Sequence, residues 1–314
     1  IVALDADRIQ SSRVTRGLVT TYLSYLHGSQ DPDGTFRNFM SYDRVLDDAE
    51  PSHDCVGRAV WALGTAAASA QDEGCRSLAR EMMTRALPHL QSIGPRGTAQ
   101  AILGLVAYLR VEPYVVHERA LLDACVARLT DRYRDHATDE WPWFEPTLTY
   151  DNALLPLALF AAYEVTGERT TLRPARESLE FLEHVCFHGD RLQLVGNAGW
   201  HALGREKPCA DEQAIDATAF VLAFRYAYKV TGDRHYLRRM HQAFAWFLGA
   251  NRLERPLYDF TTGGCRDGIG ADHINENQGA ESTICFLMAL LRMLERAGET
   301  VEQDEMQERF VALQ

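Results

Sequence analysis

Apolar positions along this chain fall into two kinds of helical pattern that take turns. Residues 211–232 read D-E-Q-A-I-D-A-T-A-F-V-L-A-F-R-Y-A-Y-K-V-T-G, acids opening an alanine-rich run that is apolar on nearly every side. Residues 151–167 repeat the second half, pairing Asp151 with Asp216, Tyr163 with Tyr228, and the V-T-G-E that ends at Glu168 with the V-T-G-D that ends at Asp233. Each copy is followed by a helix that is apolar on one face only, such as 236–248, with Leu237, Met240, Phe244 and Phe247 at three- and four-residue spacing. Weaker copies start at Glu281 and Asp54, and a further one lies near 95–100, where Arg96 and Thr98 stand in place of the acid. Self-similarity of this kind marks an array of helical hairpins. Helices apolar all round are buried on most sides, and amphipathic ones form an outer layer.

The spacing predicts helices over 12–27, from 52, over 73–91, 96–109 and 118–133, from 151, over 172–185, from 211, over 236–248, from 281, and over 302–313. These alternate between outer and inner. The long segments 28–52, 134–148, 186–210 and 252–277 precede inner helices, whereas the inner-to-outer turns are short. That asymmetry puts a deep cavity on one face, floored by inner-helix starts and walled by loops rich in Trp, Tyr, His and Asn.

With 46% hydrophobic content, 314 residues can bury a large core, and no linker or charge block divides them, so one domain over 1–314 is expected. The net charge of −12 argues against nucleic acid and anionic membrane, which are bound through Lys and Arg. No apolar run reaches the ~20 residues of a bilayer span. The opening I-V-A-L-D-A-D-R-I lacks a basic region and a cleavage-like site, and the missing initial Met suggests a chain trimmed from a longer one. Seven cysteines, an odd number set mostly in apolar helices, suit buried thiols of a cytoplasmic protein. No G-x-G-x-x-G, P-loop or C-x-x-C appears, so neither a cofactor nor a metal is expected.

The acids Asp54, Asp151, Asp216 and Glu281 stand at corresponding inner-helix starts, which aims them toward one end of the ring. Glycosidic cleavage needs a carboxyl of raised pKa and an ionised one about 5 to 9.5 Å apart. Capping of first-turn N–H groups is the alternative role for each of the four. Glu276, bracketed by Asn275 and Asn277, is a fifth catalytic candidate. The loop aromatics Trp141, Trp143, Trp200, Phe36, Phe39 and Tyr42 suit the apolar faces of pyranose rings, or else plug their loops onto the barrel. Glu145, Tyr150, Asn152, Asp211, Gln213, Asn275 and Asn277 are candidates to bond sugar hydroxyls, with Glu212 and Asp272 beside them. His53, His201 and His273 are expected as hydrogen-bonding pocket residues, or alternatively as bases for epimerisation. Arg58 and Arg96 would hold a substrate carboxylate or phosphate, or pair with the acids around them.

W-P-W-F-E-P at 141–146, Y-D-N-A at 150–153 and N-E-N-Q-G-A-E-S-T at 275–283, together with the hairpin repeat, resemble the six-hairpin (α/α)6-barrel glycosidases of bacterial carbohydrate-utilisation systems. The N-acylglucosamine 2-epimerases share that toroid. The resemblance implies an all-α ring of alternating outer and inner helices, with an incomplete sixth hairpin because only five inner helices are evident. It implies a carbohydrate-active enzyme taking an oligosaccharide or monosaccharide, foremost a glycoside hydrolase using two of the carboxylates. The alternatives are a sugar epimerase or isomerase using the histidines, and a non-catalytic glycan-binding domain fused to or associated with a carbohydrate-active partner.

Overall fold

The structure, a computed structural model, describes residues 1–46 and 53–311, with side chains described as far as residue 295, His53 excepted. Among the described residues, six helices form a closed inner ring: α1 (Val2–Ile9), α3 (His53–Ser69), α5 (Pro95–Leu109), α7 (Leu154–Thr166), α9 (Ala214–Thr231) and α11 (Ala280–Val311). Each packs against the next, and α11 packs back against α1. Five others lie outside: α2 (Arg13–Ser29), α4 (Glu73–Ala86), α6 (Val116–His136), α8 (Arg169–Cys186) and α10 (Arg234–Ala245), each on the inner helix that precedes it. This is the expected all-α toroid. Among the described residues, no helix is long and apolar enough to cross a membrane.

The two layers follow from composition. In α7 every side chain from Leu154 to Ala162 is buried, because the helix has neighbours on all sides. In α10 only Tyr236, Leu237, Met240 and Ala243 are buried, one stripe facing α9. Full burial of a large apolar side chain contributes about 1.5–3 kcal/mol, so the ring carries most of the core's stabilisation. The repeated V-T-G ends an inner helix in both copies. Gly167 and Gly232 take φ of 69° and 72°, and their N–H groups bond the Tyr163 and Tyr228 carbonyls at 2.8 and 2.7 Å, a left-handed stop that favours glycine.

α3 and α5 touch backbone to backbone. A Cβ on Gly57 would lie 2.5 Å from the Cα of Gly97, and one on Gly104 would lie 2.8 Å from the Cα of Trp61. No side chain fits between these helices at those levels.

Two differences from expectation concern the sixth hairpin. α1 supplies the sixth inner helix, although its eight residues carry no copy of the repeat. The helix expected over 302–313 is not separate as far as it is described, since α11 runs on through Gly298 to Val311; residues 312 and 313 lie outside the described residues. Charge closes the seam between α1 and α11. Arg292 grips Asp5 at 2.7 and 3.0 Å, while buried Glu295 pairs with Arg225 at 2.8 Å, Arg292 at 2.5 Å, and Arg8.

Short strands stitch the long loops together at the inner-helix N-terminal end. β1 (Thr147–Leu148) will pair with β4; β2 (Phe187–His188) and β3 (Arg191–Leu192) form a small hairpin; and β4 (His201–Ala202) sets His201 opposite Leu148. β5 (Glu212–Gln213), β6 (Gly268–Ile269) and β7 (Ile274–Asn275) form an antiparallel sheet in that order. The loops before α7, α9 and α11 thus make one continuous wall.

Candidate functional site

Asp151 lies just before α7, 6% exposed, in the left-handed region at φ 50°. A non-glycine residue held there costs on the order of 1–3 kcal/mol, so its surroundings must impose it. Asp216, the third residue of α9, does part of this. Its Oδ1 accepts the Asn152 N–H at 3.4 Å, and it is also bonded by the Asp151 backbone. Burial pushes the Asp151 carboxyl up to about 7; Arg96 and Arg58 pull against that, while Asp54 and Glu281 add to it. Burial and the charge of Asp151 push Asp216 up to about 8, opposed by its backbone bonds and Arg96. Near neutral pH these acids are proton carriers.

Buried Arg96 organises the neighbouring side chains. Its Nε donates to the Tyr150 carbonyl at 2.8 Å and its guanidinium bonds Glu145 and, at 3.3 Å, Asn152 Oδ1, while lying 5.1 Å over the Tyr150 ring. The Tyr150 hydroxyl donates to Asp54 Oδ2 at 2.5 Å, and burial together with that bond pushes it up to about 12. A chain of polar contacts therefore runs from α3 through Tyr150 to α5 and the 137–153 loop. Asp54, Arg58, Asp151, Asp216 and Glu281 all act on this centre.

A cavity of about 520 Å³ opens beside it, between the β5–β6–β7 wall and the start of α11. Asp211, Gln213, Asp267, His273, Asn275 and Glu281 line it. Its volume is that of a small-molecule pocket. Asp211 is held at φ 62° at its rim. Asp267, which the sequence did not single out, accepts from Ser282 Oγ at 2.6 Å, Asn277 Nδ2 at 2.5 Å and the Gly279 N–H at 2.8 Å, fixing the first turn of α11 and with it Glu281. Its acid in a G-C-R-D-G run was the available signal.

Most other candidates are taken up by packing or by partners of their own. Trp143 is 0% exposed, against Phe144 and Phe181, and Trp141 is buried with its indole N–H on the Glu145 carbonyl at 2.8 Å. They plug the 137–153 loop onto the barrel and leave no ring face for a sugar. Phe36 is buried too, while Phe39 and Tyr42 are exposed. Trp200, at φ 52°, remains half-buried beside Tyr150, with ring centroids 6.3 Å apart. Glu276 is exposed and paired with Arg255 and Arg266, away from the buried acids. Asn152 spends its amide on Thr149 and Arg96. Glu212 is a buried strut to Leu194, Trp246 and Arg252. His201 packs edge-on to Trp141, and burial and Lys207 push its ring below the ordinary value. His273 is exposed on Asp272, and the side chain of His53 lies outside the described ones. Among the described residues, no group of three His, Cys, Asp or Glu side chains is placed to hold a metal.

No protein-family model matches the chain, and no curated protein matches it in sequence. Solved structures are similar to it in fold. Cellobiose 2-epimerase from Bacillus thermoamylovorans B4167 superposes with a TM-score of 0.69 at 11% identity, over 93% of this chain and 85% of that one. A GH76 alpha-mannanase from Bacteroides thetaiotaomicron gives 0.63 at 12%, over 95% and 85%. An unsaturated glucuronyl hydrolase specific for heparin gives 0.59 at 11%, over 90% and 97%. The chain thus shares the (α/α)6 toroid fold of these structures.

Proposed function

We infer that the protein is a carbohydrate-active enzyme, a glycoside hydrolase in which Asp151 is the general acid and Glu281, at the mouth of the cavity, the base. One observation carries this: a carboxyl that burial lets hold its proton up to about pH 7, in a conformation imposed on it, beside other carboxylates and an open polar cavity. A general acid must hold its proton at working pH, which burial of Asp151 provides. Asp216 positions the Asp151–Asn152 turn, and Trp200 with Tyr150 supplies the aromatic wall on which a sugar ring stacks. The folds of a mannanase and a glucuronyl hydrolase lend support, as their names concern glycan chemistry. The test is release of reducing ends from a panel of oligosaccharides by the native chain, D151N and E281Q. Native-level turnover in both variants would reject the assignment.

A second reading, sugar epimerisation, is favoured by His201. Burial and Lys207 favour the neutral form of its ring, the form a general base needs. Proton NMR of disaccharides incubated with the protein separates the two, because an epimerase exchanges a C–H proton without cutting the glycosidic bond.

A further inference from the structure

Arg58, on the inner-ring helix α3, is exposed and, among the described residues, has no hydrogen-bond or ion-pair partner. Asp54 stands one helical turn before it on α3, the spacing at which an acid and an arginine usually pair, yet Asp54 takes the Tyr150 hydroxyl instead. Other cations of this face are occupied. Arg96 is spent on Glu145, Asn152 and the Tyr150 carbonyl, and Arg252 on Glu212 and the carbonyls of Cys209, Gly270 and Ala271. Lys207 serves the Gln193 carbonyl, and Arg255 and Arg266 serve Glu276. The charge of Arg58 nonetheless acts on Asp151, the Tyr150 hydroxyl and the Cys285 thiol, groups carried by the ring helices and the loop before α7. Asp151, the internal counter-ion in reach, is held back by burial from ionising until about pH 7. An open fork of N–H donors then stands exposed one turn into α3, and its geometry matches a carboxylate in two-point contact.

We propose that Arg58 binds the carboxylate of an acidic sugar, so that the saccharide taken by this pocket is, or ends in, a uronic acid. This rests on the reading that the pocket holds a saccharide. A single negative charge suits the site better than a phosphate dianion, because Asp54, Glu281, Asp211 and Asp267 stand around the same space and like charges repel.

The test is calorimetric titration of the native chain, R58Q and R58K with D-glucuronate, D-glucose and D-glucose 6-phosphate near pH 7. Glucuronate should bind the native chain at least about tenfold more tightly than glucose. R58Q should erase that preference while leaving glucose affinity and the unfolding midpoint unchanged, and R58K should retain part of it. Equal affinity for glucuronate and glucose in the native chain, including no measurable heat with either, overturns the proposal, as does an R58Q variant that keeps the preference. Tightest binding of glucose 6-phosphate overturns the carboxylate in favour of a phosphate ester. No cleavage is needed for any of these readings. Glycosidase activity without a glucuronate preference would sink this proposal and leave the hydrolase standing, whereas Arg58-dependent glucuronate binding without cleavage would do the reverse.

Discussion

Replacing Asp216 by asparagine should stabilise the protein at neutral pH and change little in acid. Burial raises this carboxyl from an ordinary 3.8 to about 8. Below pH about 4 the group is protonated in folded and unfolded chains alike and costs nothing. Above that, the unfolded chain ionises it while the folded chain does not until about pH 8, so stability falls as pH rises through this window. At 1.36 kcal/mol per pH unit over the roughly three units from 3.8 to pH 7, the native chain gives up about 4 kcal/mol. Asparagine releases no proton, fills the same space, and keeps an oxygen for the Asn152 N–H. Guanidinium unfolding of native and D216N protein at several pH values between 4.5 and 7.5 would measure the effect. The gap between the two proteins should widen by about 1.4 kcal/mol per pH unit. A gap independent of pH would refute the reasoning, since the folded carboxyl would then be ionised as readily as the unfolded one.

Other expected outcomes can be checked separately. D151N should lose turnover by at least about a hundredfold while unfolding at an undiminished temperature, and the native rate should fall as pH rises through about 7, where Asp151 gives up its proton; a pH-independent rate there would count against Asp151 as acid. E276Q should turn over at the native rate, because Glu276 is an exposed partner of Arg255 and Arg266. G104A should cost about 2–3 kcal/mol in chemical unfolding, the range for forcing atoms into a packed interior, because the new methyl meets the Val60 carbonyl carbon at 2.7 Å and the Trp61 Cα at 2.8 Å. E295Q should lose roughly 3–5 kcal/mol, measured the same way, as it leaves Arg8, Arg225 and Arg292 without their shared carboxylate.

The layered ring was legible because burial on all sides and burial on one side write different patterns, and the V-T-G stop appears twice. Register was not. Asp151 and Asp216 align in sequence, yet Asp151 precedes its helix while Asp216 lies on the third residue of its own. α1 escaped notice because buried Asp5 looks like a solvent-facing acid until its partner Arg292, distant in sequence, is known. Trp141 and Trp143 illustrate the same limit, since a loop tryptophan that plugs a barrel and one that stacks on a sugar have the same local sequence. The paired glycines of α3 and α5, each two spaced seven apart, were a readable sign of close helix approach that composition alone passed over.

Every junction in the ring joins segments near in sequence except the one where α1 meets α11, so assembly can zip hairpin by hairpin and leave only that joint to close over the whole length of chain. Until it does, the protein is an open horseshoe whose basin lacks a side. Occupancy of the basin and completion of the circle are therefore thermodynamically linked, and a ligand resting in the middle acts as a clasp on a joint it never touches.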